Sequence, residues 1–67
     1  MILVNGREVW DRDGATITQL LGDLGVDADA RGVAVAVDGE VVPQGEWHSC
    51  AVQAGSKVEA VTAVQGG

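Results

Sequence analysis

The residues with chemical potential in this chain fall in two places, the closing run Val64-Gln65-Gly66-Gly67 and the pair His48 and Cys50. A chain that ends on two glycines leaves its terminal carboxylate uncrowded, and a backbone without Cβ can lie against another surface more closely than any other residue. Two terminal glycines are commonly no more than a frayed end, but such a tail can also enter a narrow slot on a partner enzyme. There the Gly67 carboxylate can be joined to AMP, which makes it an acyl electrophile for sulfur or an amine. His48 and Cys50, two positions apart, have the residue types of a base and a nucleophile. That pair also needs a pocket and an oxyanion site, which so small a domain rarely supplies. Cys50 is therefore read as a small apolar side chain in the core. No further ligands accompany the two residues as a metal site would require. No catalytic, cofactor-binding or metal-binding residue is expected.

Sixty-seven residues make one domain with a thin core. The chain has two tryptophans, no Phe and no Tyr, so Val, Ile, Leu and Ala must fill the interior. The net charge is −6, with only four Lys and Arg, which argues against nucleic acid as a partner because phosphate recognition rests on clustered cations. An acidic surface suits solubility, as in most small acidic domains, and also docking to a basic protein face. A single cysteine cannot form an internal disulfide, which favours a reducing compartment. No apolar run has the length of a membrane span or the pattern of a signal peptide. The expected location is the cytoplasm, away from membranes.

The elements that must carry the tail can be read in order. Met1 to Val4 is an apolar strand that ends at Asn5-Gly6, a dipeptide suited to the positive φ values of a type I′ hairpin turn. Turn chemistry accounts for Asn5 in full. Arg7 to Trp10 is the returning strand, with Trp10 expected at the surface. Thr16 and Gln19 have the spacing of a capping box, and Ile17, Leu20, Leu21 and Leu24 fall on one helical face that is expected to be buried. Gly25 supplies the left-handed position that ends the helix. Gly22 inside it reflects either close approach to the sheet or simple tolerance. Val26 to Arg31 reads as a solvated connection.

Val33 to Val37 alternates Val with Ala, as suits a central strand whose Ala face lets another element pack close. Asp38-Gly39 repeats the I′ turn signal, Glu40 to Val42 returns, and Pro43 stops the pairing. The stretch from Pro43 to Cys50 is irregular. Within it Trp47 is expected to anchor one end of the core, with a docking role as the alternative. Lys57 to Val64 forms the last strand, with Lys57 and Glu59 on one face and Val58 and Ala60 on the other. Hairpin, helix, hairpin and final strand together give an α+β sandwich of one sheet and one helix, with the C-terminus leaving from a strand.

In this order, the residues resemble those of the thiamine-biosynthesis sulfur carrier family (ThiS). The resemblance covers essentially the whole chain. It rests on Val4-Asn5-Gly6, Thr16 to Leu24, Val35 to Gly39, Val42-Pro43 with Trp47, and above all the run Val58 to Gly67. Two positions depart from the family pattern: Ser56 stands where an acidic residue is frequent, and Asp38 where Asn is common. Both lie in turns.

The resemblance implies a single ubiquitin-like β-grasp domain over residues 1–67. This is a mixed sheet of about five short strands packed on one helix, with residues 65–67 as a flexible, exposed tail. It implies that Gly67 is adenylated by a ThiF-like adenylyltransferase, which uses ATP and Mg²⁺, and then takes sulfur from a sulfur donor protein as a thiocarboxylate. Thiazole synthase, ThiG-like, would receive it. Val64, Gln65 and Gly66 would be the part of the tail that partners bind. The chain itself would be a carrier, not an enzyme, with no bound cofactor and monomeric when free. The alternatives are the small subunit of molybdopterin synthase or a carrier for another sulfur pathway, a ubiquitin-like modifier, and an interaction module whose tail does no chemistry.

Overall fold

The computed structural model describes residues 1–27 and 32–62. The expected connection through Ala28 to Arg31, the end of the expected last strand at Ala63 and Val64, and the tail Gln65 to Gly67 therefore lie outside the described residues. The strands are β1 (Ile2–Val4), β2 (Arg7–Val9), β3 (Val33–Val37), β4 (Glu40–Val42) and β5 (Lys57–Thr62), with one α-helix, α1 (Ile17–Asp23). They form one mixed sheet in the order β2-β1-β5-β3-β4. The last strand is thus the middle one. It lies parallel to β1, with Leu3 beside Lys57 and Val4 beside Val58, and antiparallel to β3 from Val33 beside Thr62 to Val37 beside Val58.

Both hairpin turns follow from their sequence. Asn5 and Asp38 each have φ of 51°, followed by Gly6 at 81° and Gly39 at 85°, the two positive angles that define a type I′ turn. β1 then pairs antiparallel with β2, and β3 with β4. Pro43, which has no N–H to offer a ladder, ends β4 and leads into a short 3₁₀ turn, Gln44–Glu46.

The helix has its expected cap. The Thr16 hydroxyl accepts from the Gln19 N–H at 3.2 Å, and the Gln19 side chain accepts from the Thr16 N–H at 2.9 Å. The other free N–H groups of the first turn go to the loop after β4. Ile17 donates to the Cys50 carbonyl at 3.1 Å and Thr18 to that of Trp47 at 3.3 Å. At the other end Val26 bonds Leu21 and Gly25 bonds Gly22, the double closure of a Schellman motif.

One face of the sheet packs on the helix. Ile2, Val4, Val35 and Val58 meet Ile17, Leu20 and Leu21, with Ala15, Trp47 and Val52 closing the ends. Trp47 is only 2% exposed and donates its indole N–H to the Val42 carbonyl at 2.8 Å, so the core anchor expected of it is observed. Trp10, at 65% exposure, stands at the surface as expected.

Four details of the sequence reading change. Val26, read as part of a solvated connection, is half-buried against the core, because the Schellman closure turns the chain back onto it. Leu24 is the C-cap rather than a core residue and is 43% exposed, because the chain leaves the helix axis there. Gly22 faces open space, with no atom within 4 Å of where a Cβ would stand, so tolerance and not close packing explains it. The Ala positions of β3 lie on the face away from the helix, where Ala34 is exposed and Ala36 half-buried, while the Val positions carry the packing.

Candidate functional site

β5 is the stem that leads to the tail, and its support is the geometry that matters. On the β3 side it is paired along its whole length, as far as Thr62 beside Val33. At its start on that side, Asp38 closes a double clasp. Its backbone N–H donates to the Lys57 carbonyl at 2.8 Å, and its carboxylate accepts the Lys57 N–H at 2.8 Å.

On the β1 side the strand partner runs out early. β1 ends at Val4, and the last backbone bond it directs to β5 is from the Asn5 N–H to the Val58 carbonyl, 2.9 Å. Two residues further on, the Asn5 side chain takes over. Its carbonyl oxygen accepts the Ala60 N–H at 2.8 Å, and its NH₂ donates to the Ala60 carbonyl at 3.2 Å. A carboxamide offers the same donor and acceptor as a peptide group, so Asn5 continues the ladder by one step. Turn chemistry alone therefore does not account for Asn5. This role depends on the register of strands 55 residues apart, and no local signal in the sequence reveals it.

The sheet face opposite the helix carries Lys57, Glu59 and Val61 on β5, with Ala34 beside Val61 and Ala36 between Glu59 and Val41. Val41 and Val61 are 76% and 62% exposed. An apolar strip thus runs along the open face up to the point where β5 leads into the tail, and Lys57 and Glu59 form a loose ion pair of 3.6 Å at its start.

The other candidate residues receive structural settings. Cys50 is half-buried against the core, and its backbone carbonyl caps the helix, as the apolar reading expects. His48 is exposed in the turn before it. Among the described residues no group of three or more His, Cys, Asp and Glu side chains converges to hold a metal ion. No helix among them is long and apolar enough to cross a membrane. The four tail residues singled out by the sequence lie beyond the described strand, which delivers the chain to them.

The model of the ThiS family matches residues 1–67. This chain belongs to the ThiS family. A crystal structure of the thiamine biosynthesis protein ThiS from Geobacter metallireducens superposes with a TM-score of 0.75 at 32% identity, covering 98% of this chain and 97% of that one. A solution structure of a thiamine biosynthesis protein from the same organism gives 0.75 at 30% identity, over 98% and 86% of the two chains. The five-stranded mixed sheet on one helix is therefore the ubiquitin-like β-grasp of ThiS proteins. A thiazole synthase from Paramagnetospirillum magneticum is 39% identical over 66 residues. That stretch is 98% of this ThiS-family chain but spans only about a fifth of that relative's length, 20%.

Within the family, the turn at Asp38 no longer looks anomalous. The Lys57 N–H needs only an acceptor, which Asp supplies as well as Asn. Ser56 likewise contributes backbone groups, accepting from Leu3 at 3.0 Å and donating to Gln53 at 3.1 Å, which do not depend on its side chain.

Proposed function

We propose that this chain is a sulfur carrier for thiazole formation in thiamine biosynthesis, with Gly67 as the loading point. The observation that carries the reading is the family match over residues 1–67, which ends in Val64-Gln65-Gly66-Gly67 after the central strand. In the reaction, a Gly67 carboxylate oxygen attacks the α-phosphorus of ATP on a ThiF-like adenylyltransferase, and magnesium pyrophosphate leaves. A sulfide equivalent from a sulfur donor protein then attacks the acyl carbon. The C–S bond forms as the C–O bond to AMP breaks, leaving a thiocarboxylate. A ThiG-like thiazole synthase receives that sulfur.

The division of labour has a physical basis. Leaving-group activation needs a water-excluded site with oriented charge, which large partners can build. The carrier supplies recognition and reach. Fully extended, the five residues beyond Thr62 span at most about 18 Å, which bounds how deep a partner's active site can lie below the docking surface. Val64, Gln65 and Gly66 are the part that must thread that passage. The apolar strip of Ala34, Ala36, Val41 and Val61 lies beside the exit and is available for contact while the tail is inserted. In this scheme the chain does no catalysis and holds no cofactor of its own; it acts as a cytoplasmic monomer between encounters.

Thiazole synthase is favoured as the acceptor over molybdopterin chemistry because a fifth of one protein of that name resembles nearly all of this chain. A role as a protein modifier would instead leave Gly67 in isopeptide bonds, visible as higher-mass conjugates in a denaturing gel.

The deciding experiment is mass spectrometry after incubation with the adenylyltransferase, ATP and a sulfur source. Exchange of oxygen for sulfur adds nearly the same mass as oxidation of Met, Cys or Trp. Cleavage after Lys57 removes that ambiguity, because the peptide Val58 to Gly67 contains none of them. A sulfur-for-oxygen shift in that peptide, absent when Gly67 is deleted, is the expected result. An unchanged peptide beside a partner active on another carrier would overturn the reading.

A further inference from the structure

β5 passes out of reach of β1 after Val58, yet it must hold its direction as far as Thr62. Without further support, Glu59 to Thr62 would be held from the β3 side alone, an edge-like arrangement that opens more readily than a strand paired on both sides. The Asn5 carboxamide supplies the missing side at Ala60, with one bond in each direction. Its backbone at φ of 51° is what turns the side chain off the end of β1 and toward β5. Asn is among the few residues that tolerate this angle and carry both a donor and an acceptor at the right reach.

We infer that Asn5 is a positioning residue for loading of the carrier: by clamping Ala60 it keeps the stem of the tail ordered, so that a docked partner receives the chain from a fixed exit. The inference rests on the proposed carrier function. If the clamp is removed, residues 59–62 open more often, and docking must reorder them each time. That cost is met on binding and not in the chemistry at Gly67, so it enters KM and leaves kcat as it was.

Asn5→Gly is the appropriate variant, because Gly accepts the positive φ and keeps the turn while deleting the carboxamide. In the free protein, amide hydrogen exchange at Ala60 is expected to quicken about tenfold relative to Ala36 in the neighbouring strand. With the adenylyltransferase and ATP, the KM for the carrier is expected to rise at unchanged kcat by the factor by which the ordered fraction of residues 59–62 falls, at most about tenfold, the factor by which opening grows. Val52→Ala serves as the control for lost stability, since Val52 is in the core but its backbone bonds go to Gly14 and Ala15. Below its melting transition it is expected to leave KM unchanged.

An unaltered KM in Asn5→Gly overturns the inference, as does an equal rise in Val52→Ala. Unaltered Ala60 exchange removes the clamp itself. If the wild-type chain is not adenylated at all, the carrier function fails and the positioning role with it, while the exchange measurement still decides whether Asn5 holds Ala60.

Discussion

The two hairpins of this molecule have the same turn but hold the central strand by different chemistry. Asn5 and Asp38 occupy equivalent places, each at φ of 51° before a glycine, and each reaches β5 with its side chain. Asp38 grips the beginning of the strand at Lys57 and needs only an acceptor, because its own backbone N–H provides the second bond. Asn5 grips Ala60 by its side chain alone and needs a donor and an acceptor together. Two positions with one backbone geometry thus place unequal demands on residue type. The turn type decides that a short polar residue stands there; the partner strand decides which one.

The second hairpin is most vulnerable at its far end, where Trp47 ties the loop to the end of β4. Trp47→Ala removes a buried ring and leaves the Val42 carbonyl without its donor. A loss of about 3–5 kcal/mol is expected from denaturant titration, enough to unfold so small a domain in part. The result would show that the second hairpin relies on the core more than on its turn. A substitution that tests the turns directly is Asn5→Asp, which sets a carboxylate oxygen where the Ala60 carbonyl now finds a donor. Here the expected loss is about 1–2 kcal/mol by the same titration. The mirror change, Asp38→Asn, keeps the acceptor and should alter stability by less than about 0.5 kcal/mol. Equal effects from these last two would mean that the side chains serve only their own turns.

Much of this arrangement was legible in the sequence because it depends on neighbours. Thr16 with Gln19, Gly25, and the Asn-Gly and Asp-Gly pairs each fix their own backbone within a few residues, and the structure has them as read. Trp47 was legible by elimination, since a chain without Phe or Tyr has little else to seal that end of the core. What local pattern did not reveal depends on register. The alternation in Val33 to Val37 shows two faces but not which one meets the helix, and the small Ala side chains suggested the wrong one. Leu24 fits the helical stripe by spacing, but the helix ends one residue before it. The side-chain role of Asn5 requires knowing that Ala60 arrives beside it. For the candidate site the tail is a reading of the glycines alone and lies outside the described residues, whereas the apolar strip on the open face exists only once Ala34, Ala36, Val41 and Val61 are brought together by three strands.

The place of β5 in the middle of the sheet also bears on how the domain forms. Among the described residues, those before β5 form two hairpins and a helix with no direct strand pairing between the hairpins, since β1 and β3 each pair with β5 and not with one another. An isolated hairpin is marginal in water. Joining the first hairpin to the rest of the sheet must therefore wait for pairing across most of the chain, such as Leu3 with Lys57, and such distant contacts make folding slower. The strand that presents the tail is the one whose arrival completes the domain. Under the proposed carrier function, a partner that recognises the ordered stem would thereby recognise a finished fold, and incompletely folded chains would be excluded from loading without any separate means of inspection.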